Sequence, residues 1–552
     1  NSRSVPAGVR GSGTGCPHHR PERRRAIHGL TMSYAVITAA QAKAIEQAAC
    51  TQMNLPLLSL MQSAGEAAAR LVQQVYPLGR VIVLCGPGGN GGDGYVVARL
   101  LLSEGRYVEV IASRAPEKLT GDAAVMAHAW TACGGMTRIF GDEPLGHVTE
   151  SDVIIDALLG IGTASKPDGA IGALCAWAND SPAAVVSLDI ATGVNSDTAD
   201  VYDGAINADV TISFIAPKRG NILYPGATHT GKLCIAPLAL PVIDAPLLMD
   251  APFLQTPADV RTVLPTRVQH RNANKGSHGR VLVIAGSDDM PGAALLTLRA
   301  SMHAGAGYAT LISTKSVCQL AAATLPEAIY VSCQAESDGT LSFTSTQQEI
   351  LQRIPRTDCI AIGPGLGRTD ETAAIVAYVL ETFTGPVVID ADALYAASPT
   401  LLKERSAAGR ETILTPHPGE AAAAYAVESR DRDRLTAVRE LALLTHATVL
   451  LKGTRTLVAS DGLRTDIIRK GTPALGTAGS GDTLTGIIAA LAAQGLPPHR
   501  AAVAGATIHA RAGELAAAKN GLMNTSASDI CDCIGAAWMR ITAGEDTSPW
   551  VD

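Results

Sequence analysis

Aromatic side chains are scarce in this chain: phenylalanine, tryptophan and tyrosine together make up 4% of its 552 residues. Packing therefore falls to alanine and the 54 glycines, small side chains that suit helices lying close on parallel sheets. No apolar run approaches the roughly 20 residues that span a bilayer, so no membrane helix is expected. Positive charge is not in excess, and a net charge of −7 leaves no electrostatic footprint for nucleic acid. The eleven cysteines form no CxxC pair, and Cys531 and Cys533 lack a second pair to complete a zinc site. They sit in apolar stretches such as those around Cys85 and Cys359, which reads as buried reduced thiols and a cytoplasmic location.

What is present is enough apolar sequence for two cores. Hydrophobic residues make up 47% and charged residues 17%, and the length exceeds that at which single cores stop growing. Residues 1–31 stand apart. They hold six arginines against one acid, Glu22, with no apolar periodicity. Arg-rich and acid-poor is the signature of a transit peptide, but no amphipathic face accompanies it. A disordered or non-native extension, translated from upstream of Met32, is the better reading.

Two alternating series follow. In the first, Val81–Cys85, Val108–Ala112, Val153–Asp156, Val185–Asp189 and Val210–Phe214 read as buried strands separated by helices. The second begins at Arg280 with Val281–Ala285 and closes on Ala-rich helices at about 482–494 and 498–517. Strand–helix alternation predicts parallel sheets with helices on both faces. The Pro-containing stretch between the series predicts a linker at 241–261, with domains over 32–240 and 262–545.

Strand Val81–Cys85 runs into six glycines within the nine residues 86–94. Gly86, Gly88 and Gly91 satisfy GxGxxG, whose free backbone amides face a phosphate at a helix start. The next strand ends at Ala112-Ser113-Arg114, without the acidic residue that would hold a ribose, which counts against a dinucleotide-dependent oxidoreductase. Asn90 and Asp93 are polar groups that a pyrophosphate cradle does not need. Asp156 and Asp189 close two later strands, so acid and amide groups collect at the carboxyl edge of the sheet.

In order and spacing, Gly89-Asn90-Gly91-Gly92-Asp93-Gly94, Asp156-Ala157-Leu158-Leu159-Gly160 and Asp189-Ile190-Ala191-Thr192-Gly193 resemble the NAD(P)H-hydrate epimerase family. The resemblance implies a Rossmann-like doubly wound domain that interconverts the two hydrates of NADH and NADPH. By it, Asn90, Asp156 and Thr192 would hold a potassium ion. Gly89, Asn90, Gly91, Gly92 and Asp93 would contact the hydrate, as would Gly160, Ile161, Gly162, Thr163, Ala164, Ser165, Lys166 and Asp189. Asp189 is the acid/base candidate, because a carboxyl group at the hydrate's hydroxyl can assist its departure and return.

The second half carries Thr477-Ala478-Gly479-Ser480-Gly481-Asp482 at the start of a helix. Its amides form an anion hole, and Asp482 is placed to take a proton from a hydroxyl nucleophile, an arrangement for phosphoryl transfer. Lys452-Gly453-Thr454-Arg455-Thr456, Pro416-His417-Pro418-Gly419-Glu420, Gly363-Pro364-Gly365-Leu366-Gly367 and Asp390-Ala391-Asp392 each follow a predicted strand. Together with Asn274-Lys275-Gly276 they resemble the ribokinase-type α/β fold, and within it the NAD(P)H-hydrate dehydratase family. Tyr395 departs from that pattern, where asparagine is usual.

The resemblance implies that Lys452, Gly453, Thr454, Arg455, Thr456 and Gly481 bind ADP or ATP. Ala293, Gly365, His417 and Asp482 would bind the hydrate, with Mg2+ near Glu420 or Asp392. Phosphorylation of the hydroxyl followed by elimination would regenerate NADH or NADPH. A small-molecule kinase of the vitamin-precursor type fused to a nucleotide-binding module is the alternative, since the same anion hole serves both. A nucleotide-sensing binding protein is a third reading. The choice between ADP and ATP, between NADH and NADPH hydrates, and between a monomer and a homo-oligomer stays open.

Overall fold

The computed structural model describes residues 34–142, 145–162, 165–238, 240, 248, 250–265, 275–429 and 434–544. The expectations for 1–31, Thr163, Ala164, 241–247 and Asn274 lie outside these residues. In chain order the strands are β1 Tyr34–Ala35, β2 Val81–Cys85, β3 Val108–Ala112, β4 Thr137–Ile139, β5 Val153–Ala157, β6 Ala184–Leu188, β7 Val210–Phe214 and β8 Lys232–Ala236. There follow β9 Phe253–Gln255, β10 Arg280–Ile284, β11 Tyr308–Thr314, β12 Ile329–Cys333 and β13 Cys359–Ile362. The last are β14 Val387–Ile389, β15 Thr412–Leu414, β16 Thr448–Leu451, β17 Leu457–Ala459 and β18 Asp466–Ile468.

Seven strands form the first sheet in the order β4-β3-β2-β5-β6-β7-β8, every pair parallel. Relative to its first strand this is the doubly wound order, with the switch point between β2 and β5. Strands β2 and β5 are buried on both faces, as a covered parallel sheet requires. The expected glycine loop is shorter than the sequence suggests, because the helix Gly89–Ser103 already includes most of it. Close packing is the reason. A Cβ on Gly91 would lie 2.0 Å from the Gly86 carbonyl oxygen, and one on Gly92 would meet Met61.

The second sheet has eleven strands. Its parallel part, β12-β11-β10-β13-β14-β15-β16, switches direction of addition between β10 and β13. Antiparallel β17 and β18 extend it. Two further strands complete the edge. β9 pairs with β18, and β1, from the very start of the first half, pairs with β9.

That edge revises the expected linker. Residues 253–261 are not a connector but a strand and a short helix, Pro257–Arg261, with Thr256 capping the helix. Leu254 is fully buried, and Gln255 donates to the Asp466 carboxylate on β18 at 2.9 Å. One continuous core cluster holds Val36, Ile222, Leu223 and Leu233 from the first half with Leu254, Leu457 and Ile467 from the second. The two halves therefore share apolar burial as well as backbone pairing.

Candidate active sites

In the first half, ligand groups gather where β2 and β5 diverge. Asp156, at the end of β5, is buried and accepts from the Leu158 amide (3.2 Å), the Ser187 hydroxyl (2.8 Å), and the Thr192 amide and hydroxyl (2.9 and 2.7 Å). Burial raises its pKa, partly offset by these hydrogen bonds. The Leu159 carbonyl accepts from Asn90 Nδ2 at 3.1 Å and lies 3.3 Å from Thr192 Oγ1. Asn90 Oδ1 is buried with no hydrogen-bond partner. An orphaned amide oxygen beside a carboxylate, a hydroxyl and a carbonyl suits a large, weakly held monovalent cation.

A cavity of about 610 Å³ opens above this cluster. Of the expected hydrate contacts, Gly89, Asn90, Asp93, Gly160, Ile161, Gly162 and Asp189 line it. Gly91 and Gly92 do not; they serve helix packing. Ser165 and Lys166 also lie outside the lining, and Lys166 instead pairs with Asp203 on the surface at 2.6 Å.

Asp189 has a left-handed backbone, φ 67°, just beyond β6. Its carboxylate accepts from the Phe214 amide at 3.2 Å and forms an ion pair with Lys218. Lys218 is itself buried, and its ammonium also donates to the Phe214 carbonyl at 2.7 Å. Asn221 Nδ2 donates to the Asp189 carbonyl at 3.1 Å. Two further carboxyl groups line the cavity, Asp93 and Glu46. Desolvation, then the charge of Asp189, raises both; for Asp93 the rise is well above the carboxylate range. Sequence reasoning missed Lys218 and Glu46. Lys218 could have been found as a cation just past an apolar strand, at the sheet edge where ligands bind.

In the second half, all six residues expected to bind nucleotide line one cavity of about 740 Å³. Gly479, with φ 84°, is the left-handed residue that starts the helix Ser480–Ala493 and turns its first amides outward. Ser480 Oγ lies 3.1 Å from His509 Nε2, and burial lowers that imidazole to about 4, which leaves it neutral. Sequence reasoning also missed Tyr224, Arg469 and Lys470 in this lining.

Lys452 is the cation that faces Asp390, Glu420 and Asp482. Its Nζ lies 2.8 Å from Asp390 and 3.6 Å from Glu420. Burial works against its charge, but Asp390 and Glu420 outweigh that and raise its pKa. Thr485 donates to the other Asp390 oxygen at 2.7 Å. Asp482 is raised to about 7, first by desolvation and then by Asp390, with Lys452 opposing.

Ala293 and Gly365 come together: a Cβ on Gly365 would lie 3.0 Å from that of Ala293. His417 caps the helix Pro418–Tyr425, its Nδ1 accepting from the amides of Gly419 (3.0 Å) and Glu420 (3.3 Å). Asp392 is held by the Gly367 amide and by Arg368, whose guanidinium lies 3.6 Å over the Tyr395 ring. Among the described residues no group of three His, Cys, Asp or Glu side chains forms a protein-only metal cage.

Two family models match the chain. One described as NAD(P)H-hydrate dehydratase covers residues 281–535, and one described as YjeF-related protein N-terminus covers 57–220. The bifunctional NAD(P)H-hydrate repair enzyme of Moorella thermoacetica is 34% identical over 511 residues, 90% of this chain and 95% of that protein. That of Escherichia coli is 33% identical over 492 residues, 88% and 90% of the two chains. Among solved structures, an ADP/ATP-dependent NAD(P)H-hydrate dehydratase from Bacillus subtilis, co-crystallised with ATP/Mg2+, is 30% identical. It covers 52% of this chain and 97% of that one, with a TM-score of 0.43. With curated relatives aligned over 90% of its length, the chain belongs to the bifunctional NAD(P)H-hydrate repair enzyme family.

Proposed function

We propose that the chain repairs hydrated NADH and NADPH, its first half interconverting the two hydrate epimers and its second half dehydrating one of them at the expense of ADP or ATP. The observation that carries this reading is the pairing of two sites in one chain: a carboxylate-lined cavity on one sheet and an anion hole with a near-neutral Asp482 on the other. The epimerase is assigned to 32–240, whose strands β2–β8 form the first sheet, and the dehydratase to the region from Phe253 onward, whose strands β9–β18 form the second with β1 added at its edge.

In the first cavity the hydrate's hydroxyl sits on the carbon beside the ring nitrogen, whose lone pair helps expel it. Asp93, whose carboxyl pKa is raised by burial, donates its proton to the departing oxygen, and water leaves. Asp189, fixed by Lys218, takes a proton from the water that returns to either face of the ring. A proton passing from Asp189 back to Asp93 restores the start. Two carboxyl groups in unlike surroundings thus divide acid and base work. Asn90, Asp156 and Thr192 fit a potassium ion, supported by the unpartnered Asn90 Oδ1. Bound there, the ion would supply positive charge beneath the substrate's polar groups.

In the second site Asp482 accepts the hydroxyl proton, and the freed oxygen attacks the terminal phosphoryl group of the nucleotide, breaking its bond to the bridging oxygen and releasing AMP from ADP or ADP from ATP. Amides at Gly479–Gly481 and the Lys452 ammonium neutralise the developing charge. The ring nitrogen then expels phosphate, a proton leaves the neighbouring carbon, and the dihydronicotinamide is restored. The excess of carboxylates around Lys452 fits Mg2+ carried with the nucleotide, since that ion is held by one or two carboxylates plus phosphate oxygens. It would screen the phosphates. Glu420, facing Lys452, suits that better than Asp392, which Arg368 already engages. Burial of Cys85, Cys175 and Cys359 in apolar cores supports a reducing, cytosolic setting.

The test is the purified chain with a mixture of both hydrates. Nucleotide and Mg2+ together should convert the whole mixture to NADH or NADPH, whereas without nucleotide the epimers should only interconvert. Absence of reduced dinucleotide in the complete mixture would sink the proposal.

A further inference from the structure

The nucleotide cavity of the second half has a wall from the first. Of its described lining residues only Tyr224 precedes Lys452 in sequence. Tyr224 is half-buried, and among the described residues its ring enters no aromatic pair or cation–π contact. Its backbone is well anchored. Leu223 donates its amide to the Arg219 carbonyl at 2.8 Å, Gly226 to that of Ala199 at 2.9 Å, and Ile222 and Leu223 are buried in the core cluster shared by both halves. An aromatic face held this way at the rim of a nucleotide cavity is pre-organised for stacking, at little entropic cost on binding.

The polar end of the ligand is already accounted for. The amides at Ser480 and Gly481 and the ammonium of Lys452 take the phosphates, and a Cβ on Gly481 would lie 3.3 Å from that ammonium. What remains for an aromatic ring elsewhere in the lining is the purine. We infer that Tyr224 stacks on the adenine base of the nucleotide bound by the second half, so that the epimerase domain completes the dehydratase's nucleotide site. This rests on the reading of that cavity as the ADP or ATP site.

The same short segment reaches the other active site. Lys218 pairs with the Asp189 carboxylate, and Asn221 donates to the Asp189 carbonyl at 3.1 Å. Tyr224 therefore stands three residues from Asn221, in the same segment that holds Asp189.

The experiment uses the full chain and calorimetric binding of ADP, with tripolyphosphate as a probe that has phosphates but no base. Tyr224→Ala should weaken ADP roughly 5- to 150-fold, the range for loss of one base stack, and leave tripolyphosphate unchanged. Tyr224→Phe, which keeps the ring, should bind ADP within about threefold of the parent. In Tyr224→Trp, ADP should quench the new indole and tripolyphosphate should not, which decides the matter even if the alanine variant fails to fold. Unchanged ADP affinity in Tyr224→Ala overturns the inference alone, as does equal weakening of both probes. Failure of the parent to bind ADP at all overturns the nucleotide reading with it.

Discussion

The two halves solve one geometric problem in the same way and the chemical problem differently. Each is a doubly wound sheet whose candidate reactive groups stand at strand ends or at a helix start. In the first half the central carboxylate, Asp189, is locked to the buried Lys218, and the neighbouring Asp93 is raised by desolvation and then by the charge of Asp189. In the second half desolvation first, and the charge of Asp390 second, raise Asp482 to about 7 against the pull of Lys452, which is paired with Asp390 and faces Glu420. On the proposed reading, a reversible exchange of water needs an acid and a base together, and two carboxyl groups in unlike surroundings serve it. A one-way phosphoryl transfer needs a single base ready at neutral pH. The contrast teaches that burial, and then the charges that face a carboxyl group, decide what an aspartate can do.

Swapping losses between the halves is the strongest way to break that comparison. Asp482→Asn should cut dehydration by about 10²–10⁴-fold and spare epimerisation. Asp189→Asn should do the reverse, with epimer exchange followed by chromatography against the spontaneous rate. If either variant impaired both reactions equally, the division of labour would be wrong.

Next in size is the shared core. Leu254→Ala should destabilise the chain by about 2–5 kcal/mol, measured by denaturant unfolding, since Leu254 is fully buried. For the same reason a fragment starting at 250 should melt well above one starting at 262, which lacks β9. Equal melting would show that the edge strand contributes nothing.

The pH dependence sharpens the contrast further. Because the Asp482 carboxyl is raised to about 7, its base form is lost on acidification, and kcat/KM for dehydration should fall roughly tenfold per unit below that point. The sign for stability is opposite. A carboxyl whose folded pKa exceeds its unfolded value favours the fold at low pH, so the nucleotide-free chain should lose stability as pH rises from 3.8 towards 7. Asp482→Asn should flatten both profiles; a dehydration rate indifferent to pH between about 5 and 7 would contradict the assigned base. Smallest is the cation. Potassium should raise the thermal midpoint of the parent more than sodium does, and Asp156→Asn should erase that difference.

The sequence by itself determined the two alternating series, because apolar runs such as Val81–Cys85 and Cys359–Ile362 must be buried and their period is local. It also determined the glycine motifs, since a helix start that presents amides, as at Gly479–Gly481, is written in consecutive residues. Asn90, Asp156 and Thr192 were legible as strand-end groups, and the six residues proposed to hold the nucleotide were legible as two short motifs. The tertiary structure alone decided what each acid meets. Lys218 reaches Asp189 across 29 positions, and no local period records an ion pair between separate strand ends. The same holds for β9, a three-residue strand that makes sense only once β18 and β1 lie beside it. It holds for Tyr224, which belongs by sequence to one half and lines the cavity of the other. Burial patterns are short-range in sequence, whereas pKa values and cavity walls are set by neighbours in space, and only folding brings those neighbours together.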